Sequence, residues 1–458
     1  MTQPRHIAVI DIGKTNAKLA LVDLEKLQEI SVVTRPNKVV NDGPWPHFDV
    51  AGHWEFLLDA LTNFQREYGI TGISITTHGA SAVLLDENGD LAAPILDYEY
   101  EGPDEVAAEY DAIRPDFAET GSPKLARGLN VGAQFFWQFK RDPELHDRTK
   151  HVVTYPQYWG SLLTGVIASD VTSLGCHTDL WNPYAGTYSS LTDTLNISDK
   201  IAPAHKSTDV LGTVLPWIAE KTGLAADTPV LCGIHDSNAS LYPNLLGREG
   251  AFSVVSTGTW VIAMAVGASK IALDPAQETF VNVDAFGKPV PSARFMGGRE
   301  YEIASVGSDV QATPEDAEHV LREQLMLLPA VEPTAGPYKG RKAEWLPSEP
   351  EPASAARSCA LSFYLALVTC DCLDVAGAEG PIIIEGPFSK NRDFLAMLTV
   401  ASGREVMISE GATGTSIGAA MLFLKNEPDQ RLKTQTAENH LPLELAKAYV
   451  ERWRELVH

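Results

Sequence analysis

Pro229-Val-Leu-Cys-Gly-Ile-His-Asp-Ser-Asn-Ala239, followed by Ser256-Thr-Gly-Thr-Trp260, is the stretch on which the reading of this chain turns. Val230, Leu231 and Ile234 have the apolar character of a buried strand end. His235 and Asp236 fall where that strand stops, beside Gly233. A carboxylate at a strand end is well placed to face a cleft. Asp is also a preferred helix cap, and on this segment alone a cap for a helix starting at Ser237 or Asn238 is the favoured reading of Asp236. The turn at Ser256-Thr257-Gly258-Thr259 changes the balance, because it has a partner near the start of the chain.

Residues 6–11 form a short apolar strand, Gly13-Lys14-Thr15-Asn16 a turn, 17–23 a second strand and 28–34 a third. Residues 251–256, the turn 257–259 and residues 260–266 repeat that strand–turn–strand plan, with Gly258 in the role of Gly13. Gly13-Lys14-Thr15 also ends a P-loop-like pattern beginning at Ala8. That pattern requires a strand before the loop and a helix after it. Here Val9 and Ile10 lie inside the strand and another strand follows, so the P-loop is rejected. An amphipathic helix is expected over 53–68, with Trp54, Leu57, Leu58, Leu61 and Phe64 on one face. A strand over 70–76 then leads into Thr77-His78-Gly79-Ala80. This order marks an α/β fold.

Further on, 103–150 reads as helical and polar in parts, 169–178 as a polar loop, and 330–355 as a surface excursion. Residues 356–376 read as an apolar helix buried between domains. A buried strand, 381–385, runs into Gly386-Pro387-Phe388-Ser389-Lys390-Asn391, with Ser389 the expected cap of a helix over 390–401. Glu410 to Ser416 opens a small-residue helix, 415–425, and 443–457 is the closing helix. The run Phe295 to Glu300 reads as a surface turn with no assigned role.

At 458 residues the chain is long enough for two large domains or three small ones. Its formal charge of −24 argues against nucleic acid or an anionic membrane as a partner. A nucleotide stays admissible, because local donors and a metal can offset the field. The N-terminus runs into a strand with no signal-peptide pattern, and no apolar run long enough to span a membrane is expected. Five scattered cysteines suggest reduced thiols and a cytoplasmic setting. Cys370-Asp371-Cys372 reads as helix core filler in preference to a metal fragment.

Two Gly/Thr/Ser turns, one in each half, can offer backbone N–H groups and hydroxyls to a phosphate chain. Asp11 ends its strand before the first turn and could hold Mg²⁺ through water. Asp236 could take the proton of an attacking hydroxyl. The segment Gly386–Asn391 could cover a nucleobase.

With these elements in this order, residues 5–425 resemble the FGGY carbohydrate kinases of the actin–hexokinase superfamily. Asp11, Gly13, Thr15, Asn16 and Lys18 match the first phosphate motif. Gly233-Ile234-His235-Asp236 matches the catalytic segment, and Ser256-Thr257-Gly258-Thr259-Trp260 the second phosphate motif. The adenosine motif usually carries three successive glycines; here Gly386 is followed by Pro387 and Phe388, then Ser389 and Asn391. The resemblance implies two ribonuclease-H-like domains flanking a cleft, with 1–245 holding the sugar and first phosphate sites, 246–430 the nucleotide site, and 431–458 a helical tail. It implies ATP and Mg²⁺ as cofactors, with Asp236 as catalytic base and, with Asp11, as metal ligand. His78, Gly79, His235 and Asp236 would contact the sugar. Gly13, Thr15, Asn16, Lys18, Thr257, Gly258, Thr259, Gly386, Ser389 and Asn391 would contact the nucleotide. Lys14 would be solvated, and Lys18 has the alternative of pairing with an acid on the neighbouring strand. Asp97-Tyr98-Glu99-Tyr100 is the candidate for a further sugar loop. The His235-Asp236 pair is similar to that of kinases of 6-deoxyketohexoses such as L-fuculose or L-rhamnulose. A ketopentose kinase and a non-catalytic nucleotide-binding regulator are the alternatives. The expected partner is a small-molecule sugar, with no nucleic acid and no membrane, and a homodimer is one candidate assembly.

Overall fold

The computed structural model describes residues 5–307, 310–409, 414–424 and 433–458. The chain divides into two compact units. The first takes its residues from 1–248, 281–289 and 412–431, and the second from 249–280, 290–411 and 432–458.

The first unit is built on a mixed sheet. Its strand order is Val210–Thr213, Pro229–Leu231, Gly72–Thr77, His6–Ile12, Asn16–Asp23, Gln28–Pro36, with Ile234–His235 also pairing with Gly72–Thr77. Ile7, Ala8, Val9 and Ile10 are all fully buried, as a central strand covered on both faces requires. The N-terminal meander is antiparallel, with Asp11 opposite Lys18. His6–Ile12 pairs in parallel with Gly72–Thr77, which places Asp11 beside Thr76. The connection between them contains the helix Val50–Tyr68. That helix starts three residues earlier than its apolar stripe suggests, because Asp49 caps it by accepting the Gly52 N–H at 3.0 Å. Between Leu231 and Ile234 the chain turns at Gly233 (φ +92°), where an added Cβ would lie 2.7 Å from the Ile75 carbonyl oxygen.

The segment 169–178 is not a loop on the surface. Ser169–Asp170 is a short buried strand and Val171–Leu174 a helical turn. Its polar side chains are inside because they satisfy one another. Asp170, fully buried, accepts the N–H groups of Thr172 and Ser173 and the hydroxyls of Thr172 and Ser207.

The second unit repeats the plan. Its sheet runs Thr279–Val283, Pro289–Phe295, Val261–Val266, Phe252–Thr257, Ile382–Glu385, Val406–Ser409, Thr434–Thr436. Residues 281–289, at the tip of its first hairpin, belong to the first unit. The helix Ala355–Val375 is long and apolar enough, by length and composition, to cross a membrane, contrary to the expectation that no such run exists. It lies in this unit's own core instead of between domains, with Cys359, Cys370 and Cys372 buried in it. An all-round apolar helix is what a central core position demands.

The linear division at 245 and 430 does not match the compact units at the C-terminal end. The helix Thr415–Met421 groups with the first unit, where Gly418 lies so close to Ala239 that a Cβ would overlap its carbonyl oxygen. Residues 410–413 and 425, expected at its two ends, lie outside the described residues. The closing helix Leu443–Val457 is part of the second unit's core and not a separate tail. Its Trp453 is fully buried and donates to the Leu327 carbonyl at 2.9 Å.

Candidate functional site

In the first unit, strand pairing brings His78, Gly79, His235 and Asp236 together. Ile234–His235 runs parallel to Gly72–Thr77 with His235 beside Thr77, so the two chain exits lie side by side. An added Cβ on Gly79 would meet His235 Nε2 at 2.7 Å and Cys176 Sγ at 2.9 Å, so glycine is what lets these side chains approach. The backbone N–H of His235 donates to Thr172 Oγ1 at 3.0 Å, which links it to the buried Asp170 network.

Asp236 is the first residue of the helix Asp236–Leu245, whose cap position is His235. Its carboxylate is one-third exposed. Oδ1 accepts the Ser237 N–H at 2.6 Å and the Ser237 hydroxyl at 3.3 Å, and lies 3.1 Å from His235 Nε2. Among the described residues no hydrogen bond reaches Oδ2. The helix start also favours negative charge here.

The two histidines are in opposite states. The Asn238 amide nitrogen donates to the Val283 carbonyl at 2.6 Å, which turns its Oδ1 toward His235 Nδ1 at 2.8 Å. Both nitrogens of His235 therefore face acceptors, and the network assigns a doubly protonated ring. Burial opposes that charge, but Cys176, Asp236 and Asn238 outweigh it and lift the group to about 10. His78 is held down to about 4, mainly by burial. Its Nδ1 lies 2.9 Å from the Gly79 carbonyl, so Nδ1 carries the hydrogen. Nε2 is then a lone-pair acceptor, buried and without a partner among the described residues.

Asp11 and Lys18 form an ion pair at 3.0 Å across the first hairpin, and Lys18 also lies 3.6 Å from Glu29. Lys18 thus takes its alternative, pairing with neighbouring-strand acids. Burial pushes the Asp11 carboxyl up, and the nearby charge of Asp236 adds to this against the pull of Lys18. Gly13 N–H donates to Asn16 O at 2.9 Å and closes the turn, leaving Thr15 and Asn16 exposed. Asn37 braces the turn from outside: its amide donates to Gly13 O and its oxygen faces His53 Nε2, both at 2.8 Å. Asp11 and Asp236 supply only hard carboxylate oxygens. That suits Mg²⁺, which is held through one or two carboxylates together with phosphate oxygens.

The second unit contains a cavity of about 580 Å³ lined by Gly258, Thr259, Gly298, Tyr301, Phe388 and Asn391, among others. Gly258 N–H donates to Trp260 O at 2.9 Å and closes the second turn as Gly13 closes the first. Gly298, in the run that sequence reasoning left unplaced, packs on this turn: a Cβ there would lie 2.2 Å from Gly258 O. Gly386 is held at φ +82°, and a Cβ on it would overlap Thr257 O. Trp260 lies under the Arg294 guanidinium, 4.7 Å from ring centroid to carbon.

The expected nucleotide residues divide here. Gly258 and Thr259 are exposed and line the cavity. Thr257 is buried, and its hydroxyl donates to Glu385 O at 2.5 Å and accepts the Phe388 N–H at 3.1 Å. Ser389 donates to Gly386 O at 2.7 Å within its own turn. The helix Arg392–Ser402 is capped by Asn391 and not by Ser389, since an Asn391 oxygen accepts the Phe394 N–H at 3.0 Å. The Asn391 amide donates to Ser362 at 2.9 Å. Sequence reasoning missed Asn238, Cys176 and the Asp170–Thr172 pair. The Asp-Val-Thr-Ser spacing at 170–173 is a helix-cap signal that could have flagged the last.

A profile for the N-terminal domain of the FGGY family of carbohydrate kinases matches residues 6–242, and one for carbohydrate kinase FGGY, C-terminal domain, matches 249–433. The crystal structure of a carbohydrate kinase from Novosphingobium aromaticivorans superposes with a TM-score of 0.90 at 35% identity, covering 98% of this chain and 100% of that one. A xylulose kinase from Lactobacillus acidophilus reaches 0.77 at 15% identity over 99% and 97%, a likeness of fold. Escherichia coli (strain K12) L-fuculokinase is 24% identical over 272 residues, 56% of each chain. The L-xylulose/3-keto-L-gulonate kinase of the same strain is 26% identical over 56% of this chain and 53% of its own. This chain thus spans about half the length of the curated relatives it matches.

Proposed function

Because the chain belongs to the FGGY family of carbohydrate kinases, we propose that it transfers the terminal phosphoryl group of ATP to a hydroxyl of a small sugar. The observation that carries this reading is the state of Asp236. Its Oδ1 is saturated by Ser237 and His235, among the described residues no hydrogen bond reaches its Oδ2, and His78, which feels the Asp236 charge, has no partner for Nε2 among those residues.

In this mechanism Asp236 Oδ2 accepts the hydroxyl proton as the sugar oxygen attacks the terminal phosphorus. The new P–O bond forms as the bond from that phosphorus to the β–γ bridging oxygen breaks, and ADP leaves with the electron pair. His235 holds Asp236 in one rotamer and offers no lone pair of its own. His78 accepts a sugar hydroxyl at Nε2, and Gly79 keeps the space between them open. The turns at Gly13 and Gly258 each present backbone N–H groups to phosphate oxygens, with Thr15, Asn16 and Thr259 adding side-chain donors. Thr257, Ser389 and Asn391 shape the second-unit cavity through their internal bonds. Mg²⁺ held by Asp11 and Asp236 would offset phosphate charge.

A 6-deoxyketohexose such as L-fuculose is the proposed substrate, supported by the L-fuculokinase relatives and the His235-Asp236 pair. A ketopentose is the second reading, supported by the L-xylulose kinases among the relatives. The reading places the enzyme in the cytoplasm, with ATP. The test is sugar-dependent ADP release over L-fuculose, L-rhamnulose, D- and L-xylulose and D-ribulose. A response to a deoxyketohexose supports the first reading and a response to a pentulose the second. Silence across the panel from folded, ATP-binding protein removes both.

A further inference from the structure

Lys14 is the residue of the first turn that the proposed phosphate contacts leave out. Its backbone lies between Gly13 and Thr15, yet its side chain leaves the turn. The ammonium pairs with Asp97 and lies 3.2 Å from Glu99 Oε2. It also sits over two aromatic rings, 5.4 Å from the Phe48 centroid and 4.8 Å from that of Tyr98. Those rings and Tyr155 box in His78, each with its centroid 5.1 Å from the imidazole. His78 in turn feels the charges of Asp236, Lys14 and His235, and Tyr98 those of Glu99, Asp236 and Asp97. The ammonium therefore belongs to the cluster that holds the base. That cluster contains a buried acceptor, His78 Nε2, that nothing among the described residues satisfies.

Resting on the kinase reading, we infer that Lys14 and Asp97 form a sugar-binding pair that selects a neutral polyhydroxy sugar over a sugar acid. A lysine has three N–H donors, and two here face carboxylates. The third is free to donate to a sugar hydroxyl, while Asp97 accepts from a neighbouring one. Tyr98, half-buried, offers an apolar face to sugar C–H bonds. The charge balance sets the class of sugar. One ammonium faces two carboxylates, so the group is net negative before Asp236 is counted. A sugar carboxylate at this end would meet a cation already neutralised and two like charges. A hydroxyl meets no such penalty.

The bland alternative is a structural pin tying the turn 13–16 to residues 97–100, and the experiment separates the two. ADP-release kinetics and calorimetric sugar titrations are run on the full chain, with ketoses and the corresponding sugar acids. Lys14→Met is expected to raise the sugar KM by about ten-fold or more, the loss of a charged hydrogen bond. Its kcat and its KM for ATP should stay within about three-fold, and Lys14→Arg should recover most of the sugar KM. Asp97→Asn combined with Glu99→Gln should shift the kcat/KM ratio toward the acid by about ten-fold. An unchanged sugar KM in Lys14→Met overturns the inference and leaves the kinase reading standing. A fall in Tm with kcat and KM drifting together makes Lys14 a pin, and also overturns it. If wild type turns over no sugar, the kinase reading falls, and calorimetry without ATP still decides. Sugar heat that vanishes in Lys14→Met supports the pair, and no sugar binding at all overturns it.

Discussion

The hairpins at Gly13 and Gly258 share a backbone and differ in what surrounds it. Each closes with a glycine N–H donating at 2.9 Å, to Asn16 O in one and Trp260 O in the other. Each first strand has an antiparallel neighbour on one side and a parallel one on the other. Asp11 lies between Lys18 and Thr76, and the matching Ser256 lies between Ile262 and Glu385. In both units the parallel neighbour leaves the sheet into a segment of the candidate site, His78-Gly79 in the first and Gly386–Asn391 in the second. The side chains then diverge. The first hairpin carries an ion pair and looks onto a second carboxylate and two histidines. The second carries hydroxyls, with aromatic rings in its cavity wall. Under the proposed kinase reading, the shared backbone supplies donors for an anion, and the flanking side chains decide which unit does acid–base chemistry.

The largest test of that division is Asp236→Asn. General-base catalysis contributes about 10²–10⁴ in rate, so kcat should fall by roughly 10³. Tm should change little, because the carboxylate is one-third exposed. Thr259→Ala in the second unit should raise the KM for ATP by less than about ten-fold and leave kcat nearly intact. If the two variants lost comparable kcat, the second unit would be doing more than binding.

The glycines come next. Gly386→Ala forces a Cβ onto Thr257 O at a positive φ, and should cost at least about 2 kcal/mol of stability and weaken nucleotide binding. Gly79→Ala meets only side-chain atoms, at an ordinary φ. It should cost about 1 kcal/mol and act mainly on the sugar KM. Thermal melts with and without each ligand distinguish them.

What was legible before the structure follows from the range of the interactions. The strand–turn–strand units and the strands at 70–76 and 381–385 follow local patterns, and the grouping of His78 with His235 rests on the family resemblance. Two features depended on long-range satisfaction and were misread. The segment 169–178 looked like a loop because its residues are polar, yet Asp170 is buried with its bonds made by Thr172, Ser173 and Ser207. The run at 295–300 looked like a surface turn because nothing local shows Gly298 lying against Gly258. Thr257 and Ser389, which the family resemblance assigns to the nucleotide, have their hydroxyls bonded within the protein, and composition cannot show that.

Acid should separate the units further. His53 and His78 are both held down to about 4, chiefly by burial. Their folded values lie below the ordinary one of about 6.5, so the stability they carry is present above it and is lost as pH falls through 4. Glu300, in the second unit, is pushed up to about 7 by burial. Its contribution is full below its ordinary value of about 4.3 and is lost as pH rises through 7. Between pH 7.5 and 5.5 the loss from His53 and His78 outweighs the opposing gain from His235, which is raised to about 10, so hydrogen exchange should show the first unit losing protection and the second gaining it, each by on the order of 1–2 kcal/mol. Glu300→Gln should remove the gain in the second unit alone. Parallel loss in both units would mean that these buried groups do not govern the response.

The smallest expected effect bears on how far the second hairpin's hydroxyls serve the ligand. Ser389 lies in the nucleotide segment by sequence, but its hydroxyl donates to Gly386 O at 2.7 Å, three residues back. A neutral side-chain bond of this kind contributes about 1 kcal/mol. The turn is also held by the Ser389 N–H to Gly386 O at 3.1 Å and by Thr257 bonding to Glu385 and Phe388. Ser389→Ala should therefore change the KM for ATP by less than about two-fold and stability by under about 1 kcal/mol. Thr257→Val, which removes the brace between hairpin and turn, should do more to stability than to kcat. A large rise in the ATP KM for Ser389→Ala would instead mean that this hydroxyl leaves Gly386 to bind the nucleotide. The contrast between an acid–base first unit and a backbone-led second unit would then need redrawing at that residue.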